Sequence, residues 1–142
     1  MRPLTAPTLN RVIETCLYVD DLQRAAGFYR DVLGLGMMAG DRRFCAFDVG
    51  GASVLLLFHR GTTLQPVRLS DGIVPPHDGH GPLHIAFAIA KDELTEWETR
   101  LDEQGVAIES RVNWPGGGRS IYFRDIDNHL LELATPGLWP NY

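Results

Sequence analysis

The sequence predicts an α+β fold of two βαβββ modules, their strands forming a curved mixed sheet around a cleft. Two observations carry this expectation. Each half of the chain reads strand, helix, strand, strand, strand, a duplication with a period of about 70 residues, too long for a solenoid repeat. In addition, three apolar strand-like stretches each hold one side chain able to bind a metal: Glu14 in VIETCLYV, His84 in GPLHIAFAIA and Glu132 in HLLELA. Glu14 and His84 occupy matching positions of the repeated unit.

A chain of 142 residues suits one compact domain, burying roughly 70% of its unfolded surface. The net charge of −5 and the lack of a Lys/Arg-rich run argue against nucleic acid as a partner. Apolar runs such as Val54 to Phe58 fall far short of the roughly 20 residues of a membrane span. The leader MRPLTAPTLNR has no apolar secretory core, so a cytoplasmic location is expected. Cys16 and Cys45 are too few for a disulfide framework and are expected to be reduced thiols.

Module one is expected to cover about residues 11–60. Val12 to Val19 reads as a strand with Glu14, Cys16 and Tyr18 on one face and Ile13, Thr15, Leu17 and Val19 on the other. Asp20 or Asp21 then caps a helix in which Leu22, Ala25, Ala26, Tyr29, Val32 and Leu33 recur at helical spacing, and Gly34 ends it. Turn signals at Asp41-Arg42-Arg43 and Gly50-Gly51 leave Phe44 to Val49 and Ser53 to His59 as strands. Residues 61–82, rich in Gly and Pro, are expected to form a long linking loop, a feature that is often functional in a compact domain.

Module two, about residues 83–136, repeats the order. Leu83 to Ile89 is a strand with His84, Ala86 and Ala88 on one face. Asp92 is expected to cap a helix carrying Leu94, Trp97 and Leu101, closed by Gly105. Val106 to Val112, Ser120 to Phe123 and His129 to Ala134 complete the strands, with WPGGG as a flexible turn and PGLWPNY as an irregular tail.

Burying an unpaired carboxylate costs several kcal/mol, so Glu14 and Glu132 on apolar strands demand positive charge. An arginine can supply it, with Arg11, Arg42, Arg43, Arg119 and Arg124 available. A divalent metal can supply it too, with His84 as its nitrogen ligand. Three protein ligands would leave coordination positions open, as catalytic sites do. A solitary strand histidine is more often a hydrogen-bonded core residue, and a solitary strand glutamate usually faces water; the matched positions are what set these apart.

YVDDLQRAAGFYRDVLGL, GPLHIAFAI and YFRDIDNHLLELATP resemble the vicinal oxygen chelate superfamily, also described as glyoxalase/bleomycin-resistance/extradiol-dioxygenase proteins. The resemblance runs from about Val12 to Pro136. It implies paired βαβββ modules whose U-shaped sheet holds a divalent metal (Mn, Ni, Co, Zn, Mg or Fe), with Glu14, His84 and Glu132 at the ligand positions. Glu14 replaces the usual His or Gln, and Leu55 or Leu56 stands at the fourth ligand position of four-ligand glyoxalases. A site of two carboxylates and one imidazole leans away from redox Fe(II).

On this resemblance the chain is expected to be a metal-dependent lyase, isomerase or transferase acting on a small substrate with vicinal oxygens, as a homodimer. The metal acts as Lewis acid, and Glu14 or Glu132 serves as proton acceptor. His59 is a further candidate base, read against a plain surface strand end. Tyr18, Ser120, Tyr122 and Arg124 are candidate substrate contacts, Ser120 and Tyr122 resembling the Ser and Tyr of fosfomycin-resistance enzymes. The tail ATPGLWPNY lacks the basic residue those enzymes carry beyond the last glutamate. His77 and His80 in PPHDGHG read as loop residues, and Trp97, Trp114 and Trp139 as packing or interface residues. The alternatives are a metal-free drug-binding protein of the bleomycin-resistance type, and a fosfomycin-modifying or extradiol dioxygenase enzyme.

Overall fold

In the computed structural model, which describes residues 5–142, the two modules form two separate four-stranded sheets. Module one runs β1 (Glu14–Val19), α1 (Leu22–Asp31), β2 (Gly36–Gly40), β3 (Phe44–Val49) and β4 (Ser53–His59). A hairpin of β5 (Val67–Leu69) and β6 (Gly72–Val74) follows. Module two runs β7 (His84–Ala88), a 3-10 turn (Lys91–Glu93), α2 (Leu94–Glu103), β8 (Ser110–Asn113), β9 (Arg119–Arg124) and β10 (Leu130–Ala134). The sheet orders are β1-β4-β3-β2 and β7-β10-β9-β8. In each, the first strand pairs in parallel with the last, so both modules leave their first strand at a sheet edge.

Strand parity explains how the modules join. Leu17, Val19, Leu55 and Leu57 of module one and Phe123, Leu131 and Leu133 of module two lie in one buried core with Tyr29 of α1 and Leu101 of α2. Each such side chain contributes roughly 1.5–3 kcal/mol on burial. Because alternate residues point to opposite faces, Glu14 and Cys16 in one module and His84 and Glu132 in the other lie on the faces turned away from that core.

A polar seam fixes the two modules to each other. The Tyr29 hydroxyl donates to the buried Asp125 carboxylate (2.6 Å), which also accepts from the His129 and Asp127 backbone N–H groups. Fully buried His129 accepts from Leu83 N–H at Nδ1, so its Nε2–H donates to the Tyr18 carbonyl (2.7 Å). Arg100 of α2 reaches the carbonyls of Asp31 and Val32 at the C-terminal end of α1.

Three elements differ from the sequence reading. The linking loop contains the β5–β6 hairpin, whose three-residue strands are too short to show an alternation. Of the two caps expected for α1, Asp21 is the one used, accepting from Arg24 N–H. Asp92 lies inside the 3-10 turn and does not cap α2, which starts without a side-chain cap. The strand expected from Val106 begins only at Ser110, because Val106 N–H turns back to the Leu101 carbonyl to close α2.

Candidate metal centre

β10 buries Leu131 and Leu133 in the core and therefore turns Glu132 outward, beneath the face of its neighbours. β7 lies alongside in parallel register, Leu130 opposite His84 and Glu132 opposite Ala86. That register sets His84 Nε2 3.3 Å from Glu132 Oε1. The glutamate side chain is only 6% exposed and the histidine 49%, so the pair presents one open side chain above a buried one.

Hydrogen-bond polarity fixes what each atom offers. His84 Nδ1 lies 2.9 Å from the Leu130 carbonyl, an acceptor, so Nδ1 carries the proton and Nε2 of the neutral ring keeps a bare lone pair. Ser120 donates its hydroxyl proton to Glu132 Oε2 (2.5 Å), and Trp114 donates its indole N–H to the Ser120 oxygen (2.8 Å). Glu132 Oε1 is thus free to face Nε2. Two lone pairs at that separation repel unless positive charge lies between them, either a proton or a metal ion. Ligands about 2.1 Å from one ion, at angles between octahedral and tetrahedral, stand roughly 3.0–3.4 Å apart. The observed spacing fits a metal.

Tyr122, opposite Glu132 on β9, stacks obliquely near His84 with ring centroids 6.3 Å apart. Burial, and next to it the Glu132 carboxylate, hold its phenol above the ordinary tyrosine range, so it is a neutral donor beside the pair. Arg124 lies on the same face but is tied to Glu109 (3.1 Å) and to the Asn128 carbonyl.

The other sequence candidates fall elsewhere. Glu14 is exposed on β1, opposite Val54, and lines a pocket of about 360 Å³ with Val12, Thr15, Val54, Ile85 and Phe87. Among the described residues no three of His, Cys, Asp and Glu gather around one point, so within one chain Glu14 does not join His84 and Glu132. His59 shares the parity of core-facing Leu55 and Leu57 and lines a depression with Asp20, Asp21 and Asp41, away from the pair. Leu55 is buried in the core, leaving Leu56, beside Cys16, on the Glu14 face. Tyr18 is buried: its hydroxyl meets His77 Nδ1 (2.5 Å), and its ring lies against Gly79 and Phe58. Ser120 is 1% exposed with its hydroxyl engaged at both ends, so it is not presented to a substrate.

The sequence assigns Trp114 only to packing or an interface and His77 only to a loop, whereas both hydrogen-bond a candidate site residue. A glycine-rich turn directly before Ser120 was the available signal for Trp114; nothing local marked His77 as the partner of Tyr18.

The chain matches the family described as Glyoxalase/Bleomycin resistance protein/Dioxygenase superfamily over residues 9–133. It belongs to that superfamily. Among curated members, it is 30% identical to the metallothiol transferase FosB of Staphylococcus haemolyticus, over 84% of this chain and 79% of that one. It is 32% identical to the fosfomycin resistance protein FosX of Listeria monocytogenes, over 82% and 83%. Among solved superfamily structures, a lactoylglutathione lyase from Agrobacterium tumefaciens superposes with a TM-score of 0.85 at 32% identity, covering 94% of this chain and 99% of that one.

Proposed function

We propose that this superfamily member is a divalent-metal-dependent enzyme acting on a small substrate with two adjacent oxygens, by isomerase or lyase chemistry. The observation that carries the reading is the facing of His84 Nε2 and Glu132 Oε1 across 3.3 Å. When bound, the metal supplies Lewis-acid stabilisation of negative charge developing on substrate oxygen. His84 and Glu132 hold it. Tyr122 offers its phenol proton to a substrate oxygen. Glu14 is the third ligand and the candidate proton acceptor, and it comes from a second copy of the chain. Support for a homodimer lies in the open edges of β1 and β7 and in the exposure of Val12 (68%) and Ile13 (61%) beside β1. Such unguarded edges pair readily with another chain.

A second reading, thiol- or water-dependent opening of fosfomycin, draws on the likeness to FosB and FosX. An anionic phosphonate would want a free cation, whereas Arg124, on the Glu132 face, is already paired with Glu109. An uncharged oxygen pair suits the site better.

The test is titration of metal-stripped protein with Mn(II), Ni(II), Co(II) and Zn(II). The loaded protein is then assayed for lactoylglutathione formation and for fosfomycin loss with and without thiol. One metal per chain, lost in His84→Ala, is expected. Absence of uptake by the unaltered protein would replace the enzyme reading with that of a metal-free binding protein, and fosfomycin loss would favour the second reading.

A further inference from the structure

We infer that Trp114 is a positioning residue, which acts through Ser120 to hold Glu132 with one chosen oxygen toward His84; its metal consequence rests on the reading proposed above. The direction of the relay follows from chemistry. An indole N–H can only donate, so at 2.8 Å the Ser120 oxygen must accept from it. The single Ser120 proton then goes to Glu132 Oε2, because the hydroxyl is buried and that oxygen is its partner. With Oε2 fixed, the carboxylate has one orientation and presents Oε1 to His84 Nε2.

Trp114 is itself held from the far side. Its backbone closes the turn before β9, donating to the Gly118 carbonyl and accepting from Gly117 N–H. That turn lies backbone to backbone against the C-terminal tail. A Cβ on Gly118 would come within 2.6 Å of Leu138 N, and one on Gly137, where φ is +104°, within 2.5 Å of Gly118 N. Only glycine allows this approach. The tail therefore clamps the turn, the turn aims the indole, and the indole orients the serine. Outer partners of this kind orient a ligand before any metal arrives.

Indole resonances in a ¹H–¹⁵N spectrum read the relay directly, since the chain holds three tryptophans. The Trp114 peak is assigned by its loss in Trp114→Phe. In metal-stripped protein, Glu132→Gln is expected to displace the Trp114 peak while those of Trp97 and Trp139 stay in place as fold controls. Zinc is expected to displace the same peak in the unaltered protein. Ser120→Ala is expected to weaken zinc binding by about 10–100-fold, Trp114→Phe to weaken it less, and Ser120→Thr, which keeps the hydroxyl, to restore it. An immobile Trp114 peak in Glu132→Gln overturns the inference whether or not metal binds. So does Ser120→Ala protein that takes up zinc as tightly as the unaltered chain. If the unaltered protein binds no zinc but Glu132→Gln moves the peak, the positioning role stands and the metal reading falls.

Discussion

The outward face of module two carries a joined set of polar side chains, whereas the matching face of module one is largely closed over. In module two, His84 and Glu132 sit across the parallel β7–β10 pair, with Ser120 and Trp114 behind them. In module one the equivalent β1–β4 pair sets Glu14 opposite Val54 and Cys16 opposite Leu56, so β4 offers the glutamate no polar partner. Farther along β1, the linking loop lies on Tyr18 and Phe58: His77 packs edge-on to the Phe58 ring, and Arg60 ties the Gly79 carbonyl to Asp20 and Tyr18. The core-facing parity is the same in both modules because both serve one core. The outward parity is free to differ, and there the chemistry separates.

Removing a proposed module-two ligand should have the largest effect. Glu132→Gln or His84→Ala is expected to weaken metal binding by more than the roughly 10–100-fold typical of outer-shell partners. Glu14→Gln, which keeps an oxygen but loses the charge, should cost only about 10-fold. Calorimetric titration with Ni(II) compares them, and equal losses would erase the asymmetry. Mixing Glu14→Gln with His84→Ala chains sharpens the point. If Glu14 serves a partner's site, a mixed dimer regains one intact site, and the mixture should bind metal more tightly than either variant alone. No gain on mixing would place Glu14 outside the centre.

The next effect concerns the seam. Burial, and then the Asp125 carboxylate, hold the Tyr29 phenol well above the usual tyrosine range, so it stays a donor at working pH. Tyr29→Phe removes a donor from a buried carboxylate and should cost about 1–3 kcal/mol in urea unfolding. One transition is expected, since both modules share the core. Two transitions would show the modules to be independent units.

A smaller effect is expected where module one is covered. A methyl group on Gly79 has no room beside the Tyr18 ring. Overpacking typically costs 1–3 kcal/mol, and a surface loop able to shift should sit near the low end, about 1 kcal/mol. Gly79→Ala should speed proteolytic cutting between residues 61 and 82, and an unchanged cutting rate would mean that the loop is not held by this contact.

Much of this was legible in the chain. The duplicated order and the alternation in β1, β7 and β10 follow from periods that strands impose on side chains, and they suffice to place Glu14, His84 and Glu132 on outward faces. What alternation cannot say is which faces meet. His84 and Glu132 come together because β7 and β10 pair in parallel, a long-range choice with no local mark, whereas Glu14 lies on another sheet. Ser120 was expected to contact substrate from its resemblance to the Ser of fosfomycin-resistance enzymes; that its proton is committed to Glu132 depends on Trp114, which the glycine turn and the tail bring over it. His59 shows the limit in the other direction, since the parity that put it in line with Leu55 and Leu57 aimed it at the helix side.

The weakest expected effect lies in the turn that carries β9 into β10 in module two. Asp127 Oδ1 accepts from Asp20 N–H, but buried Oδ2 has no hydrogen-bond partner among the described residues. Burial, and after it the neighbouring Asp125 and Asp20, raise its carboxyl above the usual aspartate range. A raised acid binds its proton more tightly folded than unfolded, so the ionised form costs stability at neutral pH. That cost is relieved as pH falls through the raised value. Asp127→Asn keeps an acceptor for Asp20 and removes the charge. It should therefore stabilise the protein at pH 7 by less than about 1 kcal/mol, after screening at this half-exposed position, with the gain fading toward pH 4. Urea midpoints measured for both proteins across that range test it. A gain that grows as pH falls would mean that Asp127 stabilises module two as a carboxylate, against the cost assigned to it here.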